Sequence, residues 1–184
     1  MTIRLLEAIA RTELRPEIHE ARLLVLLRAT KATESHPLEG ITKLAKLDFL
    51  LRYPVALERA MKTAGRNPRQ VRVTPVERES IETRMIRFRY GPWDPRYRQW
   101  LAVLSARGLV RVATSGRTVR AWLLPKGERL ATELSGLDEF ADLTARAKLI
   151  NTAFGSYGGT KLASMMYSVF PELATMEWGA EISL

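Results

Sequence analysis

Cysteine is absent from the 184 residues, which removes disulfides, thiolate metal sites and cysteine nucleophiles together. Histidine occurs only as His19 and His36, without the histidine or carboxylate spacing that a metal site needs. No apolar run reaches the roughly 18 residues that cross a bilayer. The opening Met1-Thr-Ile-Arg-Leu-Leu-Glu7 lacks the charged start, apolar middle and small-residue cleavage site of a secretory leader, so a cytoplasmic location is expected. Neither Gly-x-Ser-x-Gly nor Ser-x-x-Lys stands in a strand-turn-helix setting. Gly155-Ser-Tyr-Gly-Gly-Thr-Lys161 lacks the Gly-Lys-Ser/Thr order of a phosphate loop and follows a helix rather than a strand, so it reads as a break between helices. These absences predict no catalytic centre, no cofactor and no metal.

Acidic residues are scarce in one place only. The net charge of +9 divides into +1 over residues 1–58, +12 over 59–126 and −4 over 127–184. Fourteen of the 16 basic residues in the middle third are arginines, whose planar fork suits phosphate. Positive charge gathered there and offset by an acidic tail predicts a surface for a polyanion.

What is present centres on residues 93–130. Asp94 suits an N-cap, Pro95 suits the first helical position and Gly108 suits the stop, which predicts a helix from Pro95 to Arg107. Tyr97, Trp100, Leu101 and Leu104 form its buried stripe and leave Arg96, Arg98, Gln99 and Arg107 outside it. Val110 and Val112 alternate with Arg111; Ser115-Gly-Arg117 turns; Val119, Ala121 and Leu123 alternate with Arg120 and Trp122. The pattern is a β-hairpin with arginines near its tip. Pro125 opens another helix. Before this stretch, helices are expected at 3–12, from Pro16 to about Thr30, over Ile41–Leu51 and from Pro54 to Met61. A polar loop lies at 33–40, an exposed mobile loop at 64–79, and a strand over Ile81–Tyr90. After it come helices through Leu130 and Leu134, from Leu137 to Phe154, and from Thr160 to Phe170.

The fold class expected is mainly α with a small β-sheet (α+β): a winged helix-turn-helix with additional C-terminal helices. Residues 1–134 form the winged-helix domain, with a basic loop and strand insertion at 64–90, and residues 135–184 a helical extension for docking or oligomerisation. The nucleic-acid-binding residues expected are Arg96, Arg98 and Gln99 for a major groove, Arg111, Arg117 and Arg120 for phosphates or a minor groove, and Arg87 and Arg89 extending the patch. Trp93 and Trp122 flank that face and are expected to pack rather than stack on bases.

Lys43-Leu-Ala-Lys-Leu-Asp-Phe-Leu-Leu-Arg-Tyr-Pro54, Arg89-Tyr-Gly-Pro-Trp-Asp94 and Tyr167-Ser-Val-Phe-Pro-Glu172 together resemble the small winged-helix middle component of bacterial three-component ABC ATPase systems, the Lamassu-type defence systems among them. The likeness spans roughly residues 16–182. It implies a non-catalytic accessory subunit that bridges an SMC/Rad50-like ATPase and an effector, often a nuclease. Such a subunit docks through its terminal helices and is open to double-stranded DNA on its basic face. Leu104-Ser-Ala-Arg-Gly-Leu-Val110 and Leu124-Pro-Lys-Gly127 are also similar to homodimeric MarR- and PadR-type transcription regulators, although the 64–79 loop and the distance from third helix to wing fit that family poorly. Kleisin-associated tandem winged-helix proteins are a third relative, for which the chain is barely long enough.

Overall fold

In the computed structural model, which describes residues 15–78, 85–88 and 91–182, two helices form a hub. Helix α1 (Pro16–Ala29) buries Leu23, Leu24, Val25, Leu26 and Leu27 in succession, and a helix apolar on every side has to be surrounded. Helix α2 (Ile41–Arg52) buries every residue from Leu44 to Arg52. Tyr53 is extended and Pro54 opens α3 (Pro54–Thr63), so the break falls where proline forbids its neighbour the helical region. Around α1 lie α5 (Tyr97–Ala106), α6 (Pro125–Ser135) and α7 (Ala141–Phe154), and around α2 lie α3, α7 and α8 (Gly159–Val169).

The helices after the hairpin are not an appendage. Ala147, Ile150, Phe154, Leu162, Met166 and Phe170 belong to the same hydrophobic cluster as Leu23, Leu47 and Trp100. Each large side chain fully buried in this way stabilises the fold by about 1.5–3 kcal/mol relative to exposure. Residues 135–182 therefore close the core, and the apolar faces expected to be available for docking are largely spent on α1 and α2. No helix among the described residues is long and apolar enough to cross a membrane.

The small sheet is antiparallel, with the order β1 (Leu38–Glu39), β5 (Thr118–Leu123), β4 (Val110–Ser115). The hairpin follows the expected alternation, and Gly116, at φ 57°, takes the first of its two turn positions, where a side chain would be strained. Strand β1 lies in the stretch expected to be a polar loop: two residues are too few to show a period. A second sheet pairs β2 (Ile86–Phe88) with β3 (Gly91–Trp93). The C-terminal segment runs beside β2, where Arg87 N–H donates to the Ala180 carbonyl (2.8 Å), Gly179 N–H to Arg87 (2.8 Å) and Ile182 N–H to Met85 (2.9 Å).

Residues 64–78 depart from the mobile loop expected over 64–79. Pro68–Val71 makes a 3-10 turn, Pro75–Arg78 a helical turn (α4), and Val71 is buried. Arg146 of α7 holds the segment: its Nε donates to the Val71 carbonyl (3.1 Å), and one terminal nitrogen to Arg72 O (3.0 Å) and to Glu77 (2.9 Å). Helix α5 begins at Tyr97, two residues after the expected Pro95, because Pro95 and Arg96 form a turn. The helix expected over 3–12 and most of the strand expected over 81–90 lie outside the described residues.

Candidate nucleic-acid interface

Helix α5 and the hairpin carry the arginines expected to meet a polyanion, and local chemistry divides those arginines into two groups. Asp94 starts the turn before α5 by accepting the Arg96 backbone N–H (3.0 Å), as a cap does. The same carboxylate binds the Arg96 guanidinium through both oxygens (2.9 and 2.7 Å) and takes a bond from Arg52 (3.2 Å). Burial would raise the Asp94 pKa, but the hydrogen bonds from Arg96 and the charges of Arg96 and Arg52 bring it below the usual value. Arg96 also lies over the Trp100 ring at 5.0 Å. Its side chain is thus committed to the start of α5. Arg107, at the other end, pairs with Glu20 of α1 (2.9 Å).

Arg98 and Gln99 are exposed on the outer side of α5, and neither has a hydrogen-bond or ion-pair partner among the described residues. The register of the hairpin sets Val112 opposite Ala121 and Arg111 opposite Trp122. Facing residues share a side of the sheet, so Val110, Val112, Ala121 and Leu123 look to the core while Arg111, Arg120 and Trp122 occupy the outer side. Arg111 and the turn residue Arg117 are exposed and unpartnered among the described residues. Arg120 sits opposite Glu39 of β1 and pairs with it at 2.8 Å. That exposed pair contributes only about 0–1 kcal/mol, yet it balances the charge.

Arg87 belongs to the second sheet, not to the hairpin. Its Nε donates to the Leu173 carbonyl (3.1 Å), and its guanidinium lies over Trp178 at 5.6 Å. Arg89 lies outside the described residues. Of the eight residues expected, the structure leaves Arg98, Gln99, Arg111 and Arg117 unengaged around α5 and the hairpin, gives Arg96, Arg120 and Arg87 internal partners, and does not describe Arg89. Trp93 packs against Tyr97 (5.5 Å) and Trp122 is half-buried, in keeping with packing roles.

The hub contains polar groups because it is enclosed. Asp48 of α2 is fully buried, accepts two bonds from Arg22 of α1 (2.6 and 2.9 Å) and one from the Tyr97 hydroxyl (2.7 Å). His19 approaches Arg22 through Nδ1 (2.9 Å) and stacks on Trp100 (4.5 Å), whereas His36 is exposed in its loop. Burial, then the Asp48 charge, pushes the Tyr97 phenol well above its ordinary value, so it stays a neutral donor. The network fixes α1, α2 and α5 relative to one another. No group of three histidine, aspartate or glutamate side chains among the described residues is arranged for a metal ion.

Lys46 is the exception to this pairing. It is 2% exposed, and its amine donates to the Thr42 carbonyl of its own helix at 3.3 Å. Burial lowers its pKa from 10.5 to about 8. Between those values the folded state binds fewer protons than the unfolded state, so stability should rise with pH across that window. Urea titrations from pH 7 to 10 should show a gain of about 2 kcal/mol that Lys46→Met abolishes, the variant being more stable than wild type at pH 7. A flat profile would mean that the amine reaches solvent.

Small side chains are what the sequence pattern leaves unmarked. Ala102, Ser105 and Ala106 occupy the side of α5 away from its Trp100 stripe and, with Arg98, Leu101, Ile41, Val112 and Val119, line a groove of about 600 Å³. Their i, i+3, i+4 spacing was the available signal. No protein-family profile matches the chain, and no curated protein or solved structure is significantly similar to it.

Proposed function

We propose that the chain is a winged-helix binding subunit without chemistry of its own, acting in the cytoplasm as the middle component of an SMC/Rad50-like ATPase defence assembly of the Lamassu type, where it bridges the ATPase and the effector. The observation that carries the reading is topological. Helix, short strand, helix, later helix and hairpin follow in that order, and β1 inserts beside β5 to give the order β1-β5-β4, with unpaired cations on the helix before the hairpin and on the hairpin itself. Helix α3, the Arg146-held segment and the β2–β3 sheet are then an insertion ahead of the recognition helix. The buried carboxylates Asp48, Asp94 and Glu20 each accept from an arginine, which suits anchoring rather than proton transfer.

Duplex DNA is the secondary partner. Beyond Arg98 and Gln99 the exposed positions of α5 are Ala102 and Ala106, which offer phosphates and base edges no donor, and the half-buried Ser105 adds a single hydroxyl. Contact through the α5 start and the hairpin would therefore be to backbone, with little sequence preference. Arg98→Glu, Arg111→Glu and Arg117→Glu together should weaken duplex binding and reduce the log-log salt slope by about 0.9 for each phosphate no longer neutralised, as read by fluorescence anisotropy. An unchanged slope would remove DNA from this face.

The subunit reading is tested by co-expression with the products of neighbouring genes and affinity purification. Stoichiometric recovery of an SMC-like ATPase supports it. A stable homodimer that binds its own promoter and recovers no ATPase would instead make the chain a MarR- or PadR-like regulator.

A further inference from the structure

The hairpin is longer than the core beneath it. Val110, Ala121 and Leu123 are buried, but Val112 and Val119, on the same side of the sheet and nearer the turn, are only half-covered. Helix α5 runs alongside and offers Ala102 and Ala106, both exposed, where a larger side chain would have filled the gap. Ile41, at the start of α2, adds a further half-buried apolar side chain. The resulting groove of about 600 Å³ is lined by apolar or small side chains, with Arg98 as the one charged lining residue among the described residues.

Three features decide what fits. Small residues on one wall call for large apolar side chains from the other partner, which is how an amphipathic helix seats in a groove. The stretch forming the α5 and hairpin walls contains no acidic residue at all between Asp94 and Glu128, while it carries Arg96, Arg98, Arg107, Arg111, Arg117, Arg120 and Lys126. Of these, Arg98, Arg111 and Arg117 are unpartnered among the described residues: Arg98 lines the groove, Arg117 lies in the hairpin turn and Arg111 is on the outer side of the hairpin. A partner with carboxylates beside its apolar stripe is thus attracted and a basic one repelled. Duplex DNA is the poorer occupant, because its one apolar groove edge, the thymine methyl, is too small to fill a groove lined by Ala102, Ala106, Val112 and Val119.

We infer that the groove between α5 and the inner side of the hairpin is the docking site for an acidic amphipathic helix of a partner protein. This rests on the reading of the chain as a binding subunit and names the chemistry of what it binds. The hairpin is then a clamp, its core side holding the partner helix while Arg111 and Trp122 remain on the outer side.

Two synthetic helices of about five turns provide the probes, both with leucines at i, i+3, i+4 and i+7, one flanked by glutamates and the other by lysines. The glutamate peptide should shift the amide resonances of Leu101–Ala106, Val112 and Val119, and should bind the intact protein at least about tenfold more tightly than the lysine peptide. Ala106→Glu, a change at an exposed position with little helix penalty, should abolish those shifts without changing the melting temperature. Equal binding of the two peptides, shifts confined to Arg111 and Trp122, displacement of the glutamate peptide by short duplex DNA, or a native dimer that Ala106→Glu converts to monomer would each overturn the inference. Peptide binding in the groove without recovery of an ATPase complex would leave this inference standing and remove the assembly reading. An ATPase complex that survives Ala106→Glu, together with no peptide binding, would do the reverse.

Discussion

Replacement of Asp48 by alanine is expected to lower the free energy of unfolding by about 3–5 kcal/mol and the melting temperature by roughly 6–20 °C. The carboxylate joins three helices: Arg22 of α1 approaches it through two nitrogens and Tyr97 of α5 through its hydroxyl. Removing it leaves a guanidinium that is 6% exposed beside a cavity where its carboxylate was, and a buried charge that loses its counter-charge costs far more than the intact pair contributes. The control separates these effects. Arg22→Met with Asp48→Leu and Tyr97→Phe removes the carboxylate and both side chains that donate to it at similar volume, and such wholesale replacement is often neutral. Thermal and urea melts of the single and triple variants should therefore differ by several kcal/mol, with the triple variant closer to wild type. A single variant as stable as wild type would show that water reaches Arg22.

The second large effect is expected at a glycine whose backbone conformation is ordinary. Gly127 is the third residue of α6, where alanine normally adds about 1 kcal/mol of helix stability. A Cβ at this position would lie 1.9 Å from the Leu109 carbonyl oxygen and 2.8 Å from its carbon, and those atoms are backbone just ahead of β4. Leu124 N–H donates to that same carbonyl at 3.0 Å, so α6 cannot move away without losing the bond. Gly127→Ala should accordingly destabilise the protein by about 3 kcal/mol, at the upper end of overpacking penalties, with the opposite sign to propensity. The lost stability should be accompanied by shifted resonances in β4 and β5, since α6 buttresses the start of the hairpin. An alanine variant as stable as wild type would mean that the approach is looser.

The elements with a strong local period were readable in the chain itself. The Tyr97, Trp100, Leu101, Leu104 stripe, the hairpin around Gly116 and the helix through Ile150 each repeat a pattern that burial imposes. Three kinds of information were not readable. Strand β1 has two residues and no period to detect. The segment at 64–79 reads as an exposed, mobile loop because its anchor, Arg146, lies some 70 residues away and looks like one more surface arginine. The arginines of the expected binding face read alike because composition records charge but not partner: Arg96 is held by Asp94, Arg120 by Glu39 and Arg87 by the Leu173 carbonyl. The groove beside α5 was the least legible feature. It depends on how far the hairpin extends past the core, a quantity set by packing and not by any single segment.

The seating of β1 beside β5 has a kinetic side. Helices and the β4–β5 hairpin can form within microseconds from neighbouring residues, but placing Leu38 opposite Ala121 closes a loop of roughly 80 residues, and loop closure is an entropic search. The β4–β5 hairpin therefore exists early as a ribbon and acquires its fixed orientation late, once the intervening helices have condensed. Contacts of this range slow folding more than they alter final stability. During that interval the unpaired side of β5 is an open strand edge, the part of the nascent protein most prone to join another chain instead of its own.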